Sequence, residues 1–573
     1  MGRRMQWKVK KKISPQGNGV HVHPIIDQLL LQRGIITKEL AGAFLTPNYD
    51  VDLHDPFLFR DMRRVIERVH KAITDGDMIG IFGDHDADGV SSAALLAEGL
   101  ESLGATVSVY IPDKITEGHG ITVSAIDQFI AQNVRVVISV DCGTSSHEAV
   151  TYAMEKGIDV IITDHHHAPD ILPQAYAIIN PQIKGETYPF RDLSGTAVAF
   201  KVVQALYTEY APERHMQLKW YLDVVCVGTI ADCVPLIGEN RTLVAYGLIV
   251  LNKTRRIGYQ EMCAVGQFCK TGNELRADTV AFHIAPRINA AGRMVHAKHA
   301  YELLRETHRG RARDKAKFIE DLNEKRKKIT EQLTRRVEKI VEKDHADRSF
   351  IIVSGDDYPV GIIGIIAGRI AEKYKKPTGI FTRFETESRG SFRSVNGVHV
   401  VDVLHACREH IVKFGGHEKA AGATVRHEDF DLFAQKVDAH VATMQKELPK
   451  PHIVADMEIA LIDADIALAE LIATLEPFGE GNAEPIFVVR HVIVADLRMV
   501  GTKGSHVKMV CTDREGSAHV GAIGFFMDQK FRGIAQGDVI DIIAHVQINE
   551  WNGNVSAQLQ LIDVKKVIEK TNN

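Results

Sequence analysis

Met78-Ile79-Gly80-Ile81-Phe82-Gly83-Asp84-His85-Asp86-Ala87-Asp88-Gly89 joins a short apolar run to a cluster of acids, and the same join recurs twice downstream. Val134-Arg135-Val136-Val137-Ile138-Ser139-Val140 stops at Asp141-Cys142-Gly143. Ile158-Asp159-Val160-Ile161-Ile162 leads through Thr163 into Asp164-His165-His166-His167. Short β-branched runs bounded by turn residues are strand signals. Three strands that each deliver acid or imidazole at one end predict an open parallel sheet, whose carboxyl ends are where ligands bind. Amphipathic stretches at 91–103, 121–132 and 146–156, with a further strand at 176–180, complete the alternation of a doubly wound α/β domain. A fourth cluster, Gly228-Thr229-Ile230-Ala231-Asp232-Cys233-Val234-Pro235-Leu236, sets one more acid at the end of an apolar helix.

Outward from this core, 573 residues leave room for three or four domains. Residues 1–69 read as a helical lead-in packed on the α/β domain, anchored by Trp7 and the apolar stretch 25–31, and 70–304 as the catalytic domain. Phe318, Leu322, Ile329, Leu333, Val337 and Ile340 recur at three-, four- or seven-residue steps through charged surroundings. That pattern predicts one long helix over 305–345, about 60 Å at 1.5 Å per residue. It reads as a solvated connector, or more sharply as a strut that holds two domains apart around a cleft, and the two readings are compatible. A second α/β module is expected at 346–450, with strands at 349–353 and 378–382 and glycine-rich runs at Gly415-Gly416-His417 and Ala420-Ala421-Gly422. Beyond Pro449-Lys450-Pro451, alternating segments at 486–489, 506–510 and 539–545, with turns at Glu515-Gly516 and Asn552-Gly553, predict an OB-type β-barrel over 451–573.

Composition narrows the class. Hydrophobic residues at 45% and charged residues at 25% are ordinary for a globular protein. A net charge of −5 does not advertise nucleic-acid binding, yet 305–343 carries fourteen Lys/Arg against eight Asp/Glu, a local basic surface. Seven cysteines without a C-x-x-C pair read as reduced, mostly buried thiols of a cytoplasmic protein. The basic start, 1–12, runs into polar turn residues rather than the apolar core of a signal peptide. No apolar run approaches the ~20 residues that span a bilayer, so no membrane association is expected.

Asp and His ligands without thiolates suit Mn²⁺ or Mg²⁺ better than structural zinc, and the imidazoles favour Mn²⁺. Two such ions about 3.5–4 Å apart form a clamp for phosphoester cleavage. A single Asp-Gly is more simply an N-cap or turn carboxylate. Four clusters together are not explained that way.

Asp84 to Gly89, Asp141, the triplet Asp164-His165-His166 and the run 228–236 resemble the four successive motifs of the DHH phosphoesterase superfamily. Within it the chain is similar to the RecJ-type exonucleases, which degrade single-stranded DNA from the 5′ end. The resemblance covers nearly the whole chain. Leu193-Ser194-Gly195-Thr196, Pro286-Arg287-Ile288-Asn289-Ala290-Ala291-Gly292-Arg293, Ser391-Phe392-Arg393-Ser394, the run 415–422 and Glu476-Pro477-Phe478-Gly479-Glu480-Gly481-Asn482 stand in the expected order.

The resemblance implies two Mn²⁺ or Mg²⁺ ions. Asp84 and Asp86 would hold one and Asp88 the other, with Asp141 bridging, His165 completing the second site and Asp232 the first. His166 would face the scissile phosphate, hydrogen-bonding it or helping the leaving group, so that His166, Asp141 and Asp88 carry the catalysis. The attacking group is then a metal-activated water, and the products are 5′-mononucleotides. His85 stands where relatives often carry another aromatic residue, and His167 is either a surface residue or a substrate contact.

Guanidinium forks match phosphate oxygens, which makes Arg293, in the loop with Asn289, and Arg393, with Ser391, candidates for a 5′-phosphate pocket; a surface ion pair is the alternative for any one arginine. Gly415, Gly416 and His417 would let backbone approach the nucleotide, or they form a tight structural turn. Phe478, Phe525, Phe526 and Trp551 are available for base stacking in the barrel, or else form its core. The resemblance further implies a monomer working in repair and recombination beside a helicase and a single-strand-binding protein. Two rival readings are a DHH phosphodiesterase of short oligonucleotides or cyclic dinucleotides, and a non-catalytic DNA-binding scaffold.

Overall fold

The apolar runs that precede the acids form neighbouring parallel strands. The computed structural model describes residues 6–14, 19–114, 116–269, 274–395, 397–444, 452–501, 504–551 and 553–567; the side chain of Trp551 lies outside them. They divide into two compact units, one of Met1–Leu53, Pro235–Ala245 and His452–Asn573, the other of His54–Val234 and Tyr246–Pro451.

In the second unit five parallel strands lie in the order Thr106–Tyr110, Met78–Gly83, Val134–Val140, Asp159–Thr163, Ala177–Ile179. The chain leaves Met78–Gly83 for one neighbour and returns on the other side, so the switch point lies between Met78–Gly83 and Val134–Val140. Asp84 and Asp141 are the first residues beyond those two strands. Ile79, Ile81, Val136 and Ile138 are as buried as Phe82, Val137 and Val160 on the opposite face, as a sheet covered on both sides requires. The helices Val123–Ala131 and His147–Glu155 cover the Phe82 side. The helix expected at 91–103 starts earlier, as Ala87–Ser102, because Asp86 caps it by accepting the N–H groups of Asp88 and Gly89.

The long helix is Arg309–Asp344, 36 residues, or about 54 Å. It is not a solvated connector, because it packs on Ile257–Gly266, Ala285–Met294 and Val360–Tyr374. Its buried stripe runs through Ala312, Ala316, Ile319, Leu322, Thr330, Leu333, Val337 and Val341, whereas Phe318 is 41% exposed. Small alanine and threonine side chains carry close helix contacts that an apolar pattern overlooks. Part of its basic surplus is neutralised by acids outside the helix, with Arg309 on Glu261, Lys315 on Glu302 and Arg336 on Asp357. The second module carries a mixed sheet ordered Lys413–His417, Ala420–Arg426, Glu387–Arg393, Thr378–Arg383, Ile351–Gly355.

The first unit holds a closed barrel. Phe487–Val500, His506–Thr512, His519–Gly524, Asn554–Lys566 and Val539–Trp551 pair in turn, and the last pairs back with the first. The lead-in departs from expectation in two ways. It begins with a strand, Gln6–Val9, paired with His452–Ala455, and Ile26, Leu29, Leu30 and Phe44 join the barrel core rather than the α/β domain. Trp7 is an anchor, but there: its indole N–H donates to Asp563. The run 476–482 is a structural knot, since Asn482 Nδ2 donates to the carbonyls of Leu475 and Pro477, and buried Arg241 binds those of Leu475 and Glu476.

The expectation of seven reduced thiols fails at one pair. Cys263 and Cys269 form a disulfide, because Gln267 adopts φ +54° and turns the chain back beside the end of its helix. Among the described residues Cys142, Cys226, Cys407 and Cys511 are buried thiols outside any disulfide, and Cys233 is exposed. Among the described residues no helix is long and apolar enough to cross a membrane.

Candidate active site

At the switch point two trios of side chains each gather their donor atoms within 4.8 Å: Asp84, Asp86 and Asp141, and Asp88, His165 and Asp232. Asp141, His165 and His166 form an overlapping third. His165 Nε2 lies 3.1 Å from Asp141 Oδ1, 3.4 Å from Asp232 Oδ2 and 3.9 Å from Asp88 Oδ2. Asp232, expected beside Asp84 and Asp86, thus groups with Asp88 and His165.

The backbone is bent to allow this. Asp141 sits at φ +61°, which a short polar side chain tolerates, and Gly143 follows at +116°. A Cβ on Gly195 would stand 2.5 Å from Asp141 Oδ1, and one on Gly228 2.5 Å from Asp88 Oδ1, so both motif glycines serve close approach. Asp88 also accepts the N–H groups of Gly195 and Thr196, at 2.7 and 3.0 Å, fixing it on the start of the helix Gly195–Tyr210.

Electrostatics mark the pocket as built for cations. Burial, then the charges of Asp88, Asp86 and Asp232, pushes the Asp141 carboxyl well up. Burial with Asp88 and Asp86 raises Asp232 to about 9, and burial with Asp86 raises Asp88 to about 6. Burial and neighbouring His166 lower His165 to about 4, so its imidazole is neutral, and it bonds the Leu193 backbone. Asp141 Oδ1 and His165 Nε2 are buried without a hydrogen-bond partner. Facing lone pairs among carboxylates that repel one another are the donor set a divalent ion fits.

Beside them Asp164, to which the sequence triplet assigned no role, is a hub. It accepts the N–H and hydroxyl of Thr144, the N–H groups of His165 and His166, and His166 Nδ1 at 2.8 Å. Burial alone would lower His166, but the bond and charge of Asp164 outweigh it and raise the imidazole to about 9. His167 is exposed.

Opposite the acids stand cations. Arg293 donates to the Gly361 carbonyl at 3.0 Å, and Arg393 to Ser391 Oγ at 3.1 Å. Burial and the charge of Arg393 lower the Arg293 guanidinium. Three further cations were not foreseen. Lys114 is lowered to about 8 by burial and by Arg293, while Asp86 and Asp84 pull the other way. It follows the strand Thr106–Tyr110, so the strand-end rule that found the acids applies to it also. Arg326, on the long helix, feels Arg293 and exposed Arg369, and its Nε is buried without a partner.

Asn289, expected at the substrate, has its side-chain oxygen taken by the Ala87 N–H at 3.0 Å and so braces the acidic loop. Register places Gly422 and Gly415 in one row with Ser391, and Ala420 and His417 in one row with Arg393, so Gly415 and His417 share the face of Ser391 and Arg393. Gly416 does not: it shares the row of Phe392 and Ala421, where at φ +145° an added Cβ would meet the Ala420 carbonyl at 2.4 Å. In the barrel, Phe478 packs on the core, whereas Phe525 and Phe526 are 50% and 79% exposed, their rings 5.6 and 4.6 Å from that of His506.

A parallel sheet with acids and imidazoles at its switch point, followed by a mixed-sheet module facing it with arginines, defines a metal-dependent phosphoesterase of the DHH class. The DHH family, N-terminal domain, matches residues 78–229, the DHHA1 domain 347–443 and the RecJ OB domain 455–563. The chain belongs to the RecJ family. It is 34% identical to the single-stranded-DNA-specific exonuclease RecJ of Bacillus subtilis over 98% of its own length and 71% of that protein. It is 31% identical to that of Haemophilus influenzae over 99% and 100%. Among solved structures it resembles RecJ of Thermus thermophilus in complex with Mn²⁺, with a TM-score of 0.82 and 27% identity over 99% of this chain and 80% of that one. The Mg²⁺ complex gives a TM-score of 0.75.

Proposed function

We propose that this protein is a 5′-to-3′ exonuclease that hydrolyses single-stranded DNA to 5′-mononucleotides with two Mn²⁺ or Mg²⁺ ions, in DNA repair and recombination. The observation that carries it is the unpartnered pair His165 Nε2 and Asp141 Oδ1 among raised carboxyls, set opposite converging arginines. Asp84, Asp86 and Asp141 would hold one ion, and Asp88, His165 and Asp232 the other, with Asp141 beside His165 placed to serve either. When bound, the ions supply Lewis acidity, activating water and neutralising the leaving oxygen. His166, charged through Asp164, presents its Nε2–H to the scissile phosphate.

Arg293, Arg393, Ser391 and Lys114 take the 5′ phosphate, which relieves their mutual repulsion, and Gly415 and His417 extend that platform along the strand. Phe525 and Phe526 stack on bases further from the end. The functional division is 1–69 for the lead-in, 70–304 for catalysis, 305–345 for the long helix, 346–450 for substrate and 451–573 for the barrel, with Met1–Leu53 and Pro235–Ala245 falling in the compact unit of the barrel. We take the protein as a monomer in the cytoplasm, where a helicase and a single-strand-binding protein would present its substrate.

The test is digestion of 5′- and 3′-labelled single strands, duplexes and dinucleotides with Mn²⁺, Mg²⁺ or chelator. The expected result is metal-dependent release of the 5′ label as a mononucleotide from long single strands. Release from the 3′ end, preference for dinucleotides, or activity in chelator would overturn the proposal.

A further inference from the structure

His85 and His119 have no part in the proposed hydrolysis, yet both rings face Asp84. His85 is 3% exposed, and its Nδ1 lies 2.7 Å from Asp84 Oδ1 but out of line for a hydrogen bond, so this buried nitrogen has no partner. His119, between Gly118 and Gly120 at φ +82° and +86°, hydrogen-bonds Asp84 Oδ2 through its Nδ1 at 3.3 Å, a contact that a cation between the two atoms would replace. The ring centroids are 4.6 Å apart, and one donor atom from each of the three residues falls within 4.8 Å of the others. Two ligands on a tetrahedral ion at 2.0–2.1 Å stand roughly 3.3 Å apart, so the Asp84–His119 spacing already suits a shared cation. Two imidazoles and one carboxylate are a ligand set for Zn²⁺ and its neighbours, not for Mg²⁺, which prefers oxygen. The His119 side chain is 72% exposed, which leaves that side open to entering ions and to water as a further ligand.

Asp84 also belongs to the trio with Asp86 and Asp141. We propose that Asp84, His85 and His119 form a third cation site, for a Zn²⁺-class ion, which shares Asp84 with the catalytic pair, so that its filling weakens the hold on the catalytic ion and slows the nuclease. The inhibitory part rests on the assignment of Asp84 to a catalytic ion; the site itself does not.

The experiment is Zn²⁺ titration of the metal-free full chain by calorimetry, with bound zinc counted by elemental analysis after dialysis. Three equivalents are expected for the wild type, and two for His119→Asn, whose exposed position leaves folding intact, and for His85→Asn/His119→Asn. Two equivalents in all proteins would overturn the third site and leave the catalytic pair standing; fewer than two in the wild type would overturn both. In parallel, Zn²⁺ inhibition of Mn²⁺-supported digestion should need about ten-fold more Zn²⁺ or higher in His119→Asn. An unchanged inhibition curve would overturn the competition for Asp84.

Discussion

His165 Nε2 stands 3.1 Å from Asp141 Oδ1, both buried and neither hydrogen-bonded. Two lone pairs held that close, with Asp232 and Asp88 alongside, put the cost of the site into the metal-free protein. Asp88 and Asp232 have folded-state values of about 6 and 9, above the ordinary carboxyl range. The stability they contribute is therefore complete below about pH 4 and is lost as pH rises through those two values. Metal-free protein should melt at progressively lower temperature from pH 5 to 9, and Mn²⁺ should raise the melting point most at the alkaline end. Asp232→Asn should flatten the upper part of that slope. Parallel melting curves with and without Mn²⁺ across this range would rule the account out.

Removing the shared carboxylate tests the centre directly. Asp141→Asn should lose more than the 10–100-fold that an outer partner of a metal site costs, so a fall in kcat beyond about 100-fold is expected. It should also melt higher than the wild type in chelator, because an amide is neutral there without having to be kept protonated against its ordinary value. Retained turnover would remove Asp141 from the site.

The Asp164–His166 pair sets an alkaline limit. His166 is raised to about 9, so the charge pair is fully present below the ordinary imidazole value near 6.5 and is lost as pH rises through 9. Asp164→Asn should move the alkaline fall in kcat toward neutrality and lower the His166 titration seen by NMR. An unmoved pH profile would show that Asp164 only shapes the loop.

Recognition of the strand end can be separated from chemistry. Hydrogen bonds to charged groups contribute about 1.5–3 kcal/mol, so Arg393→Ala should raise KM for 5′-phosphorylated strands roughly 10–100-fold. On 5′-hydroxyl strands the change should be small. Equal losses on both substrates would argue against a phosphate pocket.

The barrel aromatics predict a length effect. Phe526, 79% exposed beside His506, is free to stack, and one stacked base contributes about 1–3 kcal/mol. Phe526→Ala should weaken binding of long single strands, measured by fluorescence anisotropy, while cleavage of a tetranucleotide stays unchanged. Weakening on both lengths would place the defect in folding instead.

Much of this molecule is written in local pattern. β-Branched runs ending in Asp84, Asp141 and Asp164 specify parallel strands and the end at which acids emerge, because strand period and turn chemistry are properties of neighbouring residues. Other features are decided only by long-range packing. Asp232 joins His165 rather than Asp84, Asn289 braces Ala87, Lys114 and Arg326 converge with Arg293, and the lead-in helix adds Ile26 and Leu30 to the barrel core. None of these pairings leaves a periodic trace, since each depends on how whole elements dock and on which buried charge can be tolerated beside another. The sequence by itself determined the strands and the chemistry at their ends; tertiary structure chose the partners, because burial and Coulomb forces act through space rather than along the chain.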